Sequence, residues 1–350
     1  MLRLISLGLG LAVTVATLLP LFRQEDWWIR IFDFPRLQIF VLGVVALGLV
    51  LTTWVSANWF DRACLAALVV ALGIQGYGII RYTPLGPTEV VKADDVPENA
   101  SISLLVANVL KENQETGKLI SLIREWNPDL VLTLEPDKRW EREMRSIEED
   151  YPHVVRKPLD NLYGMMLYSR LELVEPHIRF LVEDHIPSIH TRVRLRNGKL
   201  IWLHCLHPSP PNPRYADDTE ERDAELLLVG KEVKQRRMPT IVAGDLNDVA
   251  WSYTTRLFQK ISGLLDPRKG RGMYNSYHAQ YPVMRWPLDH VFHSEHFKLL
   301  SLARLPAFGS DHFPVYVRLV LQPGAKREQE APEASAADKE EAEEKIEKGR

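Results

Sequence analysis

Two short motifs and four single residues carry the chemistry of this 350-residue chain. Ser310-Asp311-His312 sets a carboxylate beside an imidazole, between Gly309 and the apolar run 313–321. Gly244-Asp245-Leu246-Asn247 follows the short run 240–243, and an Asp and an Asn two positions apart leave an extended chain on one face. Asn108 lies at the end of the apolar stretch 102–109, and Glu135 follows Leu130–Leu134 just before Pro136. His207 opens the proline-stiffened loop His-Pro-Ser-Pro-Pro-Asn-Pro, and Asp289 precedes His290 inside the run 288–292. Oxygen donors of this kind suit a hard divalent cation that keeps several waters. Phosphoester hydrolysis needs neutralised phosphate oxygens, an activated water and a stabilised leaving oxygen. Taken singly, each residue has an ordinary explanation: a carboxylate before proline caps a turn, a loop histidine lies at the surface, and an Asp-His step makes a turn or an ion pair. His204 and His207 do not read as a zinc pair, because a spacing of three along a strand puts them on opposite faces.

Such residues need a scaffold that brings strand ends together. From residue 101 the sequence alternates strand and helix, with extended runs at 102–109, 129–135, 163–169, 240–243, 288–292 and 313–321. A hairpin over 190–204 turns at Asn197-Gly198. Helical spacing marks 118–126 and 217–236, the second with Leu226, Leu227, Val229 and Val233 as its apolar stripe. Strands outnumber helices, which predicts an α+β architecture of two packed sheets with helices outside.

The 46% of residues that are hydrophobic are unevenly spread, the long apolar runs being confined to the first eighty positions. Residues 4–22, 37–54 and 63–80 each have enough length, roughly 27 Å as helix, to cross a hydrocarbon core. A cleaved signal peptide fits the first run poorly, since its apolar core is long and no small-x-small site follows. Trp27, Trp28, Trp54, Trp59 and Phe60 flank the runs where interfacial aromatics sit. The expectation is a membrane region over 1–81 with three transmembrane helices. The side of the membrane stays open, because the arginines of the first loop are interleaved with Glu25, Asp26 and Asp33.

Residues 82–100 carry Pro84, Pro87 and Pro97 without periodicity and read as a linker that tethers without setting geometry. Residues 323–350 read as a disordered or loosely helical charged tail. Apart from its nine acidic and six basic residues, the chain has 37 of each sign, which argues against the strongly basic footprint of an avid nucleic-acid binder. Cys64 and Cys205, one in a membrane run and one in a strand, read as small buried residues and not as a disulfide or a metal pair.

In order and type, Asn108, Glu135 in PDLVLTLEP, His207 in LHCLHPSPP, Asp245 and Asn247 in GDLND, Asp289 in PLDHVF and Asp311-His312 in GSDHFPV resemble the endonuclease/exonuclease/phosphatase (DNase I-like) family. The resemblance runs from about Ser101 to Leu321, within a domain drawn at 101–322, and marks a membrane-anchored, bacterial-type member. It implies a four-layer αββα sandwich preceded by transmembrane helices, with the site at one edge of the sandwich. It also implies a divalent metal, Mg2+ or Mn2+, with Glu135 as direct ligand and Asn108 and Asp311 nearby. By the same resemblance His312 handles a proton with Asp289 orienting it, Asp245 and Asn247 position water and phosphate, and His207 donates to a phosphate oxygen. Whether His312 or Asp245 is the base is left open. Some DNA-repair members carry a second acid two residues after the first asparagine; here that position is Leu110, and Asn113 is the candidate to take over phosphate or metal binding. The implied protein is an integral membrane hydrolase, of the bacterial inner membrane, whose phosphoester is nucleic acid or a phospholipid head group. Protein partners are not inferable. The competing class is a non-catalytic membrane scaffold that keeps the fold.

Overall fold

Polar residues organise even the apolar N-terminal quarter. The computed structural model describes the chain except residues 53–57, 95–96, 211–217 and 323. Its first helices are α1 (Leu2–Leu18), α2 (Trp27–Arg30), α3 (Arg36–Thr52) and α4 (Trp59–Ile80). Asn58 and Asp61 form a capping box that starts α4. Arg3 pairs with Asp61 at one end of the bundle, and Gln75 Nε2 donates to Thr17 Oγ1 at 3.0 Å at the other, so α1 and α4 run parallel. Leu2–Phe22 and Trp59–Ile80 are long and apolar enough to cross a membrane. The expected spans 4–22 and 63–80 fall inside them. The expected 37–54 overlaps α3, its last two residues lying outside the described ones. A 73° bend joins α3 to the segment Trp27–Asp33, so this pair makes a third span only if taken as one broken helix.

The remaining chain forms two sheets. β1 (Ser101–Asn108), β2 (Leu130–Leu134), β3 (His153–Lys157) and β4 (Met165–Ser169) join two later strands in one. β5 (Leu173–Arg179), β6 (Ser188–Arg194), β7 (Leu200–Leu206), β8 (Thr240–Asp245) and β9 (Asp289–His293) make the other in that order. With β10 (Phe297–Arg304) and β11 (Val315–Leu321), the six-stranded sheet runs β10-β11-β1-β2-β4-β3. Alternation explains the layering. On β1, Leu104 and Val106 face the core between the sheets, while Leu105 and Ala107 face an outer layer with α5 (Thr116–Trp126) and α6 (Lys138–Met144). On the far side α7 (Glu220–Arg236) and α8 (Tyr253–Ser262) cover Leu206, Val242 and Phe292. The result is the expected four-layer αββα sandwich.

Two segments differ from expectation. The stretch 82–100 follows the domain closely: Tyr82 Oη donates to the Ala250 carbonyl at 2.7 Å, Lys269 Nζ meets Glu89 at 2.8 Å, and Val90 is fully buried in the core between the sheets. It is a strap, because apolar Tyr82, Val90 and Ala93 recur among its prolines and find grooves. The charged terminus holds α9 (Ala336–Lys348), capped by Ser335 and Asp338 and packed through Ala342 and Ile346 on Leu227, Leu257 and Ile261. Two apolar residues four apart give the helix a packing face while its other faces stay charged.

Candidate active site

Strand polarity assembles the site. β1 and β2 are parallel, as are β7 and β8, so Asn108, Glu135, His207 and Asp245 emerge at one end of the sandwich. β9 and β11 run antiparallel to β8 and β1, so their beginnings lie at that end too. Asp289 is the register partner of Asp245, and Asp311 and His312 arrive beside the end of β1. Gly244 allows the turn into Asp245: its φ is +148°, and a Cβ there would run into the Leu206 carbonyl oxygen. Leu110, Glu135 and Asn247 hold left-handed φ values of 53°, 62° and 50°, backbone strain of a kind that gathers at functional sites.

Asn108 ties the two sheets. Its Nδ2 donates to Glu135 Oε1 at 2.7 Å and Asp245 Oδ2 at 3.2 Å, while its Oδ1 accepts the Leu110 N–H at 3.1 Å. Carboxylates only accept and a backbone N–H only donates, so this network fixes which end of the amide is which. Asn108, expected among the metal ligands, therefore orients Glu135 here and turns its oxygen away from the carboxylates. Asn247 lines the cleft, but its Nδ2 is spent on the Pro208 carbonyl at 2.8 Å, and its N–H on Asp245 Oδ1 at 2.9 Å. It braces Asp245 and the His207 loop, whose residues from Pro211 onward lie outside the described ones.

His312 Nδ1 is 2.7 Å from Asp289 Oδ2, and its Nε2 is 3.5 Å from Asp245 Oδ2. Burial presses His312 toward its neutral form, yet Asp289, Asp245 and Asp311 hold it up at about 10. Asp245 is kept below its ordinary value against the effect of burial, by His312 and His207. His207 is pushed down by burial, which favours its neutral form against the pull of Asp245; its Nε2 sits 3.9 Å from Asp245 and 4.0 Å from Glu135, a gap that fits an intervening oxygen. His204, by contrast, leaves the other face of β7 and meets His190 Nδ1 to Nδ1 at 2.6 Å, so the two histidines part as expected.

The donor set fits a hard cation. Burial, helped by Asp311 and Asp245 and opposed by the Asn108 hydrogen bond and by His312, pushes Glu135 up to about 8. Asp245, Asp289 and His312 also bring one ligand-type atom each within 4.8 Å of one another. In that triple Asp289 Oδ2 and His312 Nδ1 are spent on each other, while Asp289 Oδ1 is buried without a hydrogen-bond partner.

Ser310 is more than a turn residue. Its hydroxyl donates to the Asn108 carbonyl at 2.7 Å and accepts the His312 N–H at 3.0 Å, sewing the motif onto β1. Asn113 is not among the described residues that line the cleft. Its amide ends bond the Val109 carbonyl and the Glu115 N–H, closing their own loop. Sequence reasoning missed Ser276, whose Oγ accepts the N–H groups of Leu288 and Asp289, and Tyr277, whose ring lies 4.9 Å from that of His312. A Ser-Tyr pair in a loop gives no periodic signal. It also missed Ile31 and Phe34, which reach from the N-terminal segment into the cleft of about 390 Å³ that holds Glu135, His207, Asp245 and His312.

A family model described as Endonuclease/Exonuclease/phosphatase family matches residues 105–312. The chain belongs to the endonuclease/exonuclease/phosphatase family. No curated protein matches it in sequence. Among solved structures, this family member is similar to D. rerio TDP2 complexed with single strand DNA product, at 16% identity and TM-score 0.52, over 63% of this chain and 99% of that one. It is also similar to the human Nocturnin catalytic domain with bound sulfate anion, at 16% identity and TM-score 0.52, over 65% and 95% of the two chains. An endonuclease/exonuclease/phosphatase family protein from Bacteroides thetaiotaomicron gives 17% identity and TM-score 0.53, over 64% and 96%. At these identities the likeness is one of fold, and the family is one of phosphoester hydrolases.

Proposed function

We propose that this family member is a membrane-anchored, divalent-metal-dependent phosphoester hydrolase in which water attacks phosphorus in line. One observation carries the reading: the Asp289–His312–Asp245 chain of contacts opens into the same cleft as Glu135 and His207. Glu135 and Asp311 would hold Mg2+ or Mn2+, with Asn108 keeping Glu135 in place. Bound there, the ion supplies positive charge to phosphate and leaving-group oxygens. Asp245, anionic and beside His312, accepts the proton of the attacking water as the new P–O bond forms and the bond to the leaving group breaks. His312, held cationic by Asp289, steadies a non-bridging oxygen, and neutral His207 donates to another. The exposed apolar face of the N-terminal bundle, including Leu4, Leu11, Val41 and Val70, supports embedding in a bilayer.

The test is turnover of a chromogenic phosphodiester by the detergent-purified full chain. Mg2+ should sustain it, EDTA should abolish it, and Asp245→Asn should lower kcat by about 10²–10⁴-fold. Equal rates in wild type and variant would refute the assignment. Binding of a phosphorylated ligand without any turnover would favour the scaffold reading.

On substrate, Ile31 and Phe34 favour a phosphoester met at the bilayer surface, such as a lipid head group, over nucleic acid. Together with Leu162 and Leu288 they make part of the cleft apolar, and they belong to the segment that leads out of the first membrane helix. Ile31→Asn should lower the ratio of lipid to single-stranded DNA turnover; an unchanged ratio would count against lipid.

A further inference from the structure

A cavity of about 530 Å³ lies where the bundle meets the catalytic domain, separate from the cleft. Its bilayer-side wall is Leu21 at the end of the first helical stretch and Val70, Gly73 and Ile74 of α4. Its opposite wall is basic: Arg23, Arg36, Arg81, Arg256 and Lys269 line it, with Asp33 as its only acid among the described residues. Part of this charge is answered. Lys269 pairs with Glu89 at 2.8 Å, Arg23 with Glu341 at 3.2 Å, and Asp33 with Arg30 at 3.5 Å. Among the described residues, no carboxylate lies within ion-pair distance of Arg36, Arg81 or Arg256. Arg36 offers only Nη1 to the Ile74 carbonyl at 3.5 Å, and its buried Nε has no partner. A partly buried guanidinium such as that of Arg36, beside an apolar wall and beyond ion-pair distance of Asp33, is costly without a closer anion, and guanidinium forks match phosphate geometry.

We propose that this cavity binds the phosphate head group of an anionic membrane lipid. Its acyl chains would leave along α1 and α4, whose ends frame the opening and whose outer faces are apolar. A free phosphate would leave Val70, Gly73 and Ile74 facing water, which is why the lipid is the occupant that fits both walls. The inference rests on the reading of the N-terminal helices as membrane-embedded, and it does not depend on the catalytic assignment.

The experiment reconstitutes the full chain in nanodiscs of phosphatidylcholine with about 20% phosphatidylglycerol and counts lipids retained on release, by native mass spectrometry. Wild type should retain phosphatidylglycerol in preference to phosphatidylcholine. The double variant Arg81→Gln/Arg256→Gln should lower that retention about tenfold, roughly 1.4 kcal/mol. Gly73→Leu should do the same by bulk alone, since a Cβ at Gly73 meets nothing within 4 Å. Circular dichroism of each variant reports whether it folds, and Arg256, exposed on α8, carries the least risk. Retention without preference, equal retention in the folded variants, or displacement of the lipid by inorganic phosphate would each overturn the proposal. Failure to incorporate into discs at all would instead overturn the membrane reading on which it rests.

Discussion

Replacing Ser310 by alanine removes two hydrogen bonds at once, one to the Asn108 carbonyl and one from the His312 N–H. Both partners are buried, so the expected loss is roughly 2 kcal/mol, read as a lower melting temperature, with a fall in kcat as His312 loosens. An unchanged kcat beside a lowered melting temperature would show that Ser310 holds the fold and not the catalytic geometry. His312→Ala should lower kcat by about 10²–10⁴-fold with less effect on melting, checked by turnover and thermal unfolding of the same preparation. At this scale the sequence shows which residues can meet, and less of which atoms are already engaged. Glu135, His207, Asp245, Asp289, Asp311 and His312 meet in one place because each ends or begins a strand, and strand ends are legible. Asn108 and Asn247 reach the same place with their amide nitrogens already engaged. Which end of an amide is free depends on neighbours that spacing does not reveal.

Helix α9 is held by more than its two apolar contacts. Lys345 Nζ lies 3.0 Å from Asp223 and also contacts Glu25, while Arg222 meets Asp223 at 2.9 Å. Burial alone would raise Asp223, but Arg222 and Lys345 hold it at about 2. A carboxyl depressed in the folded state adds stability that is complete above its ordinary value and disappears as pH falls through the depressed one. Unfolding followed from about pH 4 down to about pH 2 should therefore show a loss of roughly 2 kcal/mol from this group. Asp223→Asn should flatten that slope, and an equally steep slope in the variant would remove Asp223 as its cause. The same element shows where patterning runs out. Composition marked the terminus as a disordered or loosely helical charged tail, while Ala342, Ile346 and the buried Lys345 pack it onto the domain. β5 and β10 went unnoticed for a related reason: both lie at sheet edges with mixed burial, so neither carries an unbroken apolar run. The central strands β1, β2 and β8 are buried on both faces and announced themselves.

At the scale of the whole molecule, the N-terminal region and the catalytic domain share a surface. Phe34 and Tyr82 cluster with Val249, Ala250, Trp251 and Leu288, and Trp251 Nε1 donates to the Asp33 carbonyl at 2.7 Å. A fragment beginning at Thr83 would bare that cluster beside the cleft. It should be less soluble than the intact chain in detergent and should turn over substrate more slowly, as sedimentation and kcat/KM would show. The intact chain should stay with membranes through an alkaline carbonate wash; release into the supernatant would refute embedding. The sequence showed the apolar runs and the two-sheet domain separately, but nothing in a linear pattern joined them, because the joint is made by single residues such as Phe34 and Trp251. Residues 31–36 have one further consequence. Ile31 and Phe34 face the catalytic cleft, while Phe32, Asp33 and Arg36 face the basic cavity. Five of these six residues thus form a party wall, and a shift that reshapes one chamber reshapes the other. Thermodynamic reciprocity then requires that whatever an occupant of the basic chamber does to substrate affinity, bound substrate does in equal measure to the hold on that occupant.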